Sequence, residues 1–221
     1  MEKVKKSLII NLIIVLLVTV GCFLTFNGIR FMSNSTIYDV NGLSMFKFFT
    51  IDSNILIGIG SFVFIIYEIL LMKNKTNKIP NFVFILKSSG VVSVVLTFVV
   101  TLFFLAPTSK SGFFSLYLNS NLFFHFIIPI LSVISFVFYE GFESKSINIL
   151  HSTIPMMIYS LFYLINVLLN TNGSVITTQY DFYNFLGGNI YRALYVMPII
   201  FLITYIMSYI ILKINKNILN N

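Results

Sequence analysis

Six predominantly apolar runs, at about residues 7–29, 48–72, 82–106, 121–140, 149–170 and 191–213, divide this chain from end to end. An α-helix of about 20 residues, rising about 1.5 Å per residue, crosses the roughly 30 Å of hydrocarbon in a bilayer. In hydrocarbon every backbone N–H and C=O needs a partner inside the protein, which leaves helices or a closed β-barrel. Barrel strands alternate apolar and polar residues, whereas these runs are apolar throughout, so a barrel is excluded. The expected fold is an all-α integral membrane protein of six transmembrane helices, with residues 1–221 forming a single domain. Composition agrees, since 57% hydrophobic against 10% charged residues leaves too little polar surface for a soluble chain.

The first run also has features of a secretory leader. Lys3, Lys5 and Lys6 precede it, and Thr19-Val20-Gly21-Cys22 approaches a lipoprotein cleavage box with Thr19 where leucine is usual. The run continues past Cys22 and five more follow, so a retained helix is expected. Cys22 is the single cysteine, which excludes a disulfide framework.

The net charge of +7 is topological. Lys3, Lys5, Lys6, Lys73, Lys75, Lys78, Lys213 and Lys216 all fall on one side of the six runs, and Arg30, Lys47, Lys110 and Arg192 on the other. By the positive-inside rule the first side is cytoplasmic and holds both termini. No nucleic-acid partner is implied. The place expected is a cell membrane, crossed several times, and a chain so rich in Ile, Asn, Lys and Phe points to an AT-rich bacterial genome.

Few residues in such a chain can do chemistry. Thr50 opens the second run and His125 lies early in the fourth, four residues before Pro129. Topology puts both near the outer surface, with Thr50 about 5 Å below the start of its helix. His151 falls on the inner side and cannot share their site. Thr50 and Asn54 lie one turn apart on one helix face, as do Asn121 and His125. Asp52 is about 200° around from Thr50 and reads as a buried structural acid, neutralised by Arg192 or Arg30. Pro129 has no amide hydrogen, so the His125 carbonyl loses its helical partner and the helix loosens beside the imidazole. An imidazole can take the proton of a threonine hydroxyl attacking an ester carbonyl, with Asn54, Asn121 or Ser53 donating to the oxyanion. The structural alternative is that Thr50 bonds a helical carbonyl and His125 ties two helices together. Near the inner surface, Glu68 and Lys87 are placed either to pair or to snorkel to headgroups.

The stretch Phe49-Thr50-Ile51-Asp52-Ser53-Asn54, with the later segment Asn121 to Pro129, resembles the androgen-induced-gene family of six-helix membrane proteins, which includes the androgen-dependent regulators of tissue factor pathway inhibitor. Its bacterial branch carries a similar aromatic-Phe-Thr-x-x-Ser-Asn signature. The resemblance implies a threonine hydrolase of fatty-acyl esters in which Thr50 is the nucleophile and His125 the base. Tyr183-Asn184-Phe185-Leu186 stands where the family has an aromatic-Pro-Phe-Leu stretch, and Asp52 stands where bacterial relatives often have Gln.

The leading expectation is therefore an intramembrane hydrolase of a lipid or fatty-acyl ester. The alternative is a non-enzymatic lipid-binding or transport protein, and homodimerisation stays open for either. Against coupled transport, charged residues cluster near run ends instead of the midplane. No cofactor or metal is expected, because a Gly-rich phosphate loop, a Cys pair and His-x-x-x-His or Glu-x-x-His spacings are missing.

Overall fold

A computed structural model describes residues 2–33, 40–141, 149–171, 173, 175–176 and 179–220, with side chains to residue 218. Six helices are long and apolar enough to cross a membrane: α1 Glu2–Phe26, α2 Phe49–Met72, α3 Asn81–Thr108, α4 Ser120–Tyr139, α5 Ile149–Leu169 and α6 Ile190–Ile218. Short 3-10 helices, Gly42–Lys47 and Phe113–Tyr117, lead into α2 and α4. Among the described residues there is no strand, only an isolated bridge between Val175 and Asn189.

The expected runs match these helices, with two extensions. α1 starts at Glu2, where an exposed Glu2–Lys6 ion pair of 2.7 Å spans one turn, and α6 continues past Lys213 to Ile218. Charged residues at an interface are no bar to helix, so hydropathy alone cuts both ends short. α1 runs unbroken through Cys22 and sends Ile14 and Val18 into the core.

Neighbouring helices alternate in direction. The hydroxyls of Ser53 in α2 and Thr97 in α3 meet at 3.1 Å, and Thr25 at the end of α1 meets Ser120 at the start of α4 at 2.7 Å. α3 is the most buried of the six and α6 the least. The surface is inverted relative to a soluble protein. Phe23, Phe62, Phe103, Phe162 and Leu202 are all more than half exposed, while Ser61, Ser93, Ser132, Thr153 and Ser208 are buried. A belt of that size is untenable in water, and the arrangement is compatible with a multi-pass membrane protein.

Apolar helices in lipid gain little from burying oil against oil, so close backbone approach holds them together. Gly90 shows this most clearly: a Cβ there would lie 2.7 Å from the Cα of Ile57 in α2. Gly90→Ala is expected to push α2 and α3 apart and destabilise the fold by about 1–3 kcal/mol, visible as an earlier unfolding transition in detergent. An unchanged transition would mean that this contact relaxes freely.

Three π turns interrupt the α-helical pattern: Thr101–Leu105 in α3, and Phe123–Ile127 and Ser135–Tyr139 in α4. The first two each end two residues before a proline, Pro107 and Pro129. In the turn before Pro129, the Ile128 N–H donates to the Phe123 carbonyl, which frees the carbonyl of Phe124. Asn54 in α2 supplies the missing donor, its amide reaching Phe124 O at 3.3 Å. Side chains from a neighbouring helix are the usual remedy for a freed carbonyl in lipid. π turns are often found at functional sites, and all three here lie beside polar clusters.

Of the two arrangements open to Glu68 and Lys87, snorkelling does not occur, since both are buried, and the close ion pair of Lys87 is with Glu140. Lys87, wholly buried, approaches Glu140 at 3.4 Å, because the π turn at the end of α4 turns Glu140 inward. Glu68 lies in the same electrostatic neighbourhood.

Candidate active site

Two adjoining cavities occupy the end of the bundle away from the termini. The larger, about 110 Å³, is lined by polar groups that include Thr50, Asn119, Asn121, His125 and Arg30. The smaller, about 40 Å³, lies among Phe49, Leu96, Val100, Met156 and Ile200. Thr50, Leu105 and Tyr183 line both, so the threonine stands on the divide between a space of mixed lining and an apolar one.

Local sequence explains how Thr50 comes to be there. It is the second residue of α2, in a first turn whose N–H groups have no partner inside the helix. Tyr183 arrives from the loop before α6, and its hydroxyl oxygen accepts the Phe49 N–H at 2.9 Å, beside Thr50. The ring is held edge-on by Phe48 and stacked on Phe185. Burial pushes the Tyr183 phenol up to about 12, so it is a neutral O–H donor at physiological pH. Asp181 anchors this loop by accepting from the Tyr163 hydroxyl and from the Leu186 N–H at 3.1 Å.

His125 sits inside the π turn of α4, and its Nδ1 lies 2.9 Å from the hydroxyl of Thr101, inside the π turn of α3. The hydroxyl hydrogen-bonded to the imidazole thus belongs to Thr101. Thr50 lines the same cavity as His125. The Tyr117 ring packs edge-on to the imidazole, 6.4 Å between centroids.

The other expected site residues divide. Asn121 lines the larger cavity. Ser53 and Asn54 line neither cavity, and their donors are committed elsewhere. Asn54 donates to the carbonyls of Thr50 and Phe124 at 2.7 and 3.3 Å, and Ser53 reaches the Thr50 carbonyl and the Thr97 hydroxyl, both at 3.1 Å. The helix turns both toward α3 and the π turn of α4, away from the cavities. Asp52 is partly buried and makes no ion pair among the described residues. Arg192, one of its expected partners, packs against Gly187 instead. Pro129 is buried in α4, and its missing donor is absorbed by the π turn. His151 is exposed, and only its carbonyl is used, by Ser89.

Three contributors escape sequence reasoning. Thr101 is a lone polar residue at the end of a helix, and Tyr183 reads as an interfacial anchor. Asn119 adopts a positive φ of 57° and staples the chain after α1 to the cavity rim, its Oδ1 accepting the N–H groups of Phe31 and Met32 at 2.9 and 2.7 Å. The run Asn119-Ser120-Asn121 ahead of an apolar helix was the one available sign.

Known protein-family models, curated proteins and solved structures give no match to this chain. Function rests on the residues themselves.

Proposed function

We propose that the chain is a multi-pass membrane hydrolase of lipid or fatty-acyl esters, in which Thr50 is the nucleophile and His125 the general base. One observation carries this reading: Thr50 stands between a cavity of mixed polar and apolar lining that includes His125 and a mainly apolar one. An ester with its acyl chain in the apolar space would present its carbonyl at the threonine. The resemblance of Phe49–Asn54 and Asn121–Pro129 to the androgen-induced-gene family supports the same assignment.

The Thr50 hydroxyl oxygen attacks the ester carbonyl carbon while His125 takes its proton. As the C–O bond to the leaving alcohol breaks, the imidazolium returns that proton to the departing oxygen. A water, deprotonated by the same imidazole, then cleaves the acyl-threonine, releasing a carboxylic acid and restoring both side chains. The base function requires the tautomer in which Nδ1–H donates to Thr101, leaving the Nε2 lone pair available. Asn121 and the Tyr183 hydroxyl, among the donors that line the larger cavity, stabilise the oxyanion. By the positive-inside rule the termini are cytoplasmic, and the cavities open toward the outer leaflet of a bacterial plasma membrane.

Thr101 is the competing nucleophile, favoured by its hydrogen bond to the imidazole. It is 1% exposed and lines only the smaller cavity, whereas Thr50 is part-exposed and lines both. Fluorophosphonate labelling of purified protein separates the two. Label is expected on wild type and Thr101→Ser and none on Thr50→Ala. Label retained by Thr50→Ala transfers the role to Thr101, and an unlabelled wild type that hydrolyses no long-chain ester defeats the enzyme reading.

A further inference from the structure

The end of the bundle that carries the termini encloses a polar cluster that ester hydrolysis does not use. Ser7 and Asn11 of α1, Ser61 and Glu68 of α2, Lys87 of α3, Ser135 of α4 and Glu140 just past its end are each at most 2% exposed. The donors of Lys87, Asn11, Ser7 and Ser135 are committed. The Lys87 ammonium points its three hydrogens at Asn11 Oδ1, Ser61 Oγ (2.6 Å) and Glu140 Oε1 (3.4 Å). The Asn11 amide donates to Ser7 Oγ at 3.1 Å and Glu140 Oε1 at 2.9 Å. The hydroxyls of Ser7 and Ser135 also point at Glu140 Oε1. Asn215 of α6 closes the cluster but donates to the carbonyls of Phe136 and Glu140, at 2.6 and 3.1 Å.

Four donors thus converge on one oxygen of Glu140, while its Oε2 and the Oε2 of Glu68 have no hydrogen-bond partner among the described residues. With both carboxyls ionised, charge is out of balance in the same direction, two carboxylates facing one ammonium. An unpaired buried charge costs several kcal/mol, so the cluster lacks one positive charge and a partner for two acceptor oxygens.

We propose that this cluster binds one sodium-sized monovalent cation, held through Glu68 Oε2 and Glu140 Oε2. Carboxylates and hydroxyls form an all-oxygen set, suited to a hard cation. A single positive charge brings two carboxylates and one ammonium to neutrality, and a divalent ion would overshoot it. Such an ion draws on lone pairs from both orphaned oxygens while Lys87 keeps its place on Glu140 Oε1. The site is independent of the hydrolase reading and lies at the opposite end of the helices.

The test uses the full chain in detergent at pH 7.5, with radioactive sodium binding measured alongside thermal unfolding in NaCl or choline chloride of equal strength. The expected result is one saturable sodium per chain, displaced by unlabelled NaCl but not by choline, and an unfolding midpoint about 4 °C higher in NaCl. Glu68→Gln is expected to abolish binding and to show the higher midpoint already in choline. Glu68→Asp leaves every charge in place but withdraws the carboxylate by one methylene, and it covers the case in which Glu68→Gln does not fold; it is expected to weaken sodium binding about 5-fold or more. Absence of saturable binding with equal midpoints in the two salts overturns the site. So does a midpoint that rises only on acidification, because the missing charge is then a proton.

Discussion

Lys87→Met is expected to destabilise the folded chain by about 3–5 kcal/mol, the usual cost of removing one partner from a buried ion pair. The methionine fills much the same volume, so the loss is electrostatic. Two carboxylates would face each other without the ammonium, and Asn11 Oδ1 and Ser61 Oγ would lose their donor. Adding Glu140→Gln to Lys87→Met removes one of those negative charges and is expected to recover part of the loss, giving a coupling energy above 1 kcal/mol in a double-mutant cycle. Unfolding of single and double variants by steric trapping or in denaturing detergent measures it. Additive losses would show that Lys87 and Glu140 merely lie near one another.

The second large effect is on turnover. His125→Ala is expected to lower kcat for a long-chain ester by about 10²–10⁴-fold with KM little changed, as loss of a general base does. Thr101→Val should cost less, about 10–100-fold, because the imidazole remains but its Nδ1 loses the hydroxyl that orients it. The signature of a positioning residue is an altered pH–rate profile for Thr101→Val, restored by Thr101→Ser. A uniform loss in Thr101→Val and Thr101→Ser, with the profile unmoved, would assign Thr101 to folding alone.

Both predictions turn on π turns, and these set the limit of what could be read in advance. Pro107 and Pro129 are visible in the sequence and mark where α3 and α4 depart from regular geometry. Whether a proline kinks a helix, tightens it or widens it into a π turn depends on which neighbour can serve the freed carbonyl. Here Asn54 serves Phe124, and an amide expected to face the substrate is drawn into the wall instead. Helix phase correctly groups Asn54 with Thr50 on one side of α2, but phase does not show which of the two looks into a cavity. Tyr183 was hidden for a different reason. It reaches Phe49 across 134 residues of sequence, and its neighbours Phe182 and Phe185 are as aromatic as any interfacial belt.

The amino-acid sequence by itself determined the six helices and the scarcity of polar groups, because hydrocarbon allows a chain of about 20-residue apolar runs almost no other backbone solution. It also singled out Thr50 and His125, since polar side chains among so much apolar surface stand out one by one. Tertiary structure alone decided the partners. It gave His125 to Thr101, Lys87 to Glu140, and Tyr183 to the start of α2. Those choices depend on the rotation of each helix and on side chains meeting from separate helices, and rotation in a bundle is set by close contacts such as Gly90 against Ile57. Hydropathy carries no record of that rotation, because hydrophobic residues cover every face of these helices.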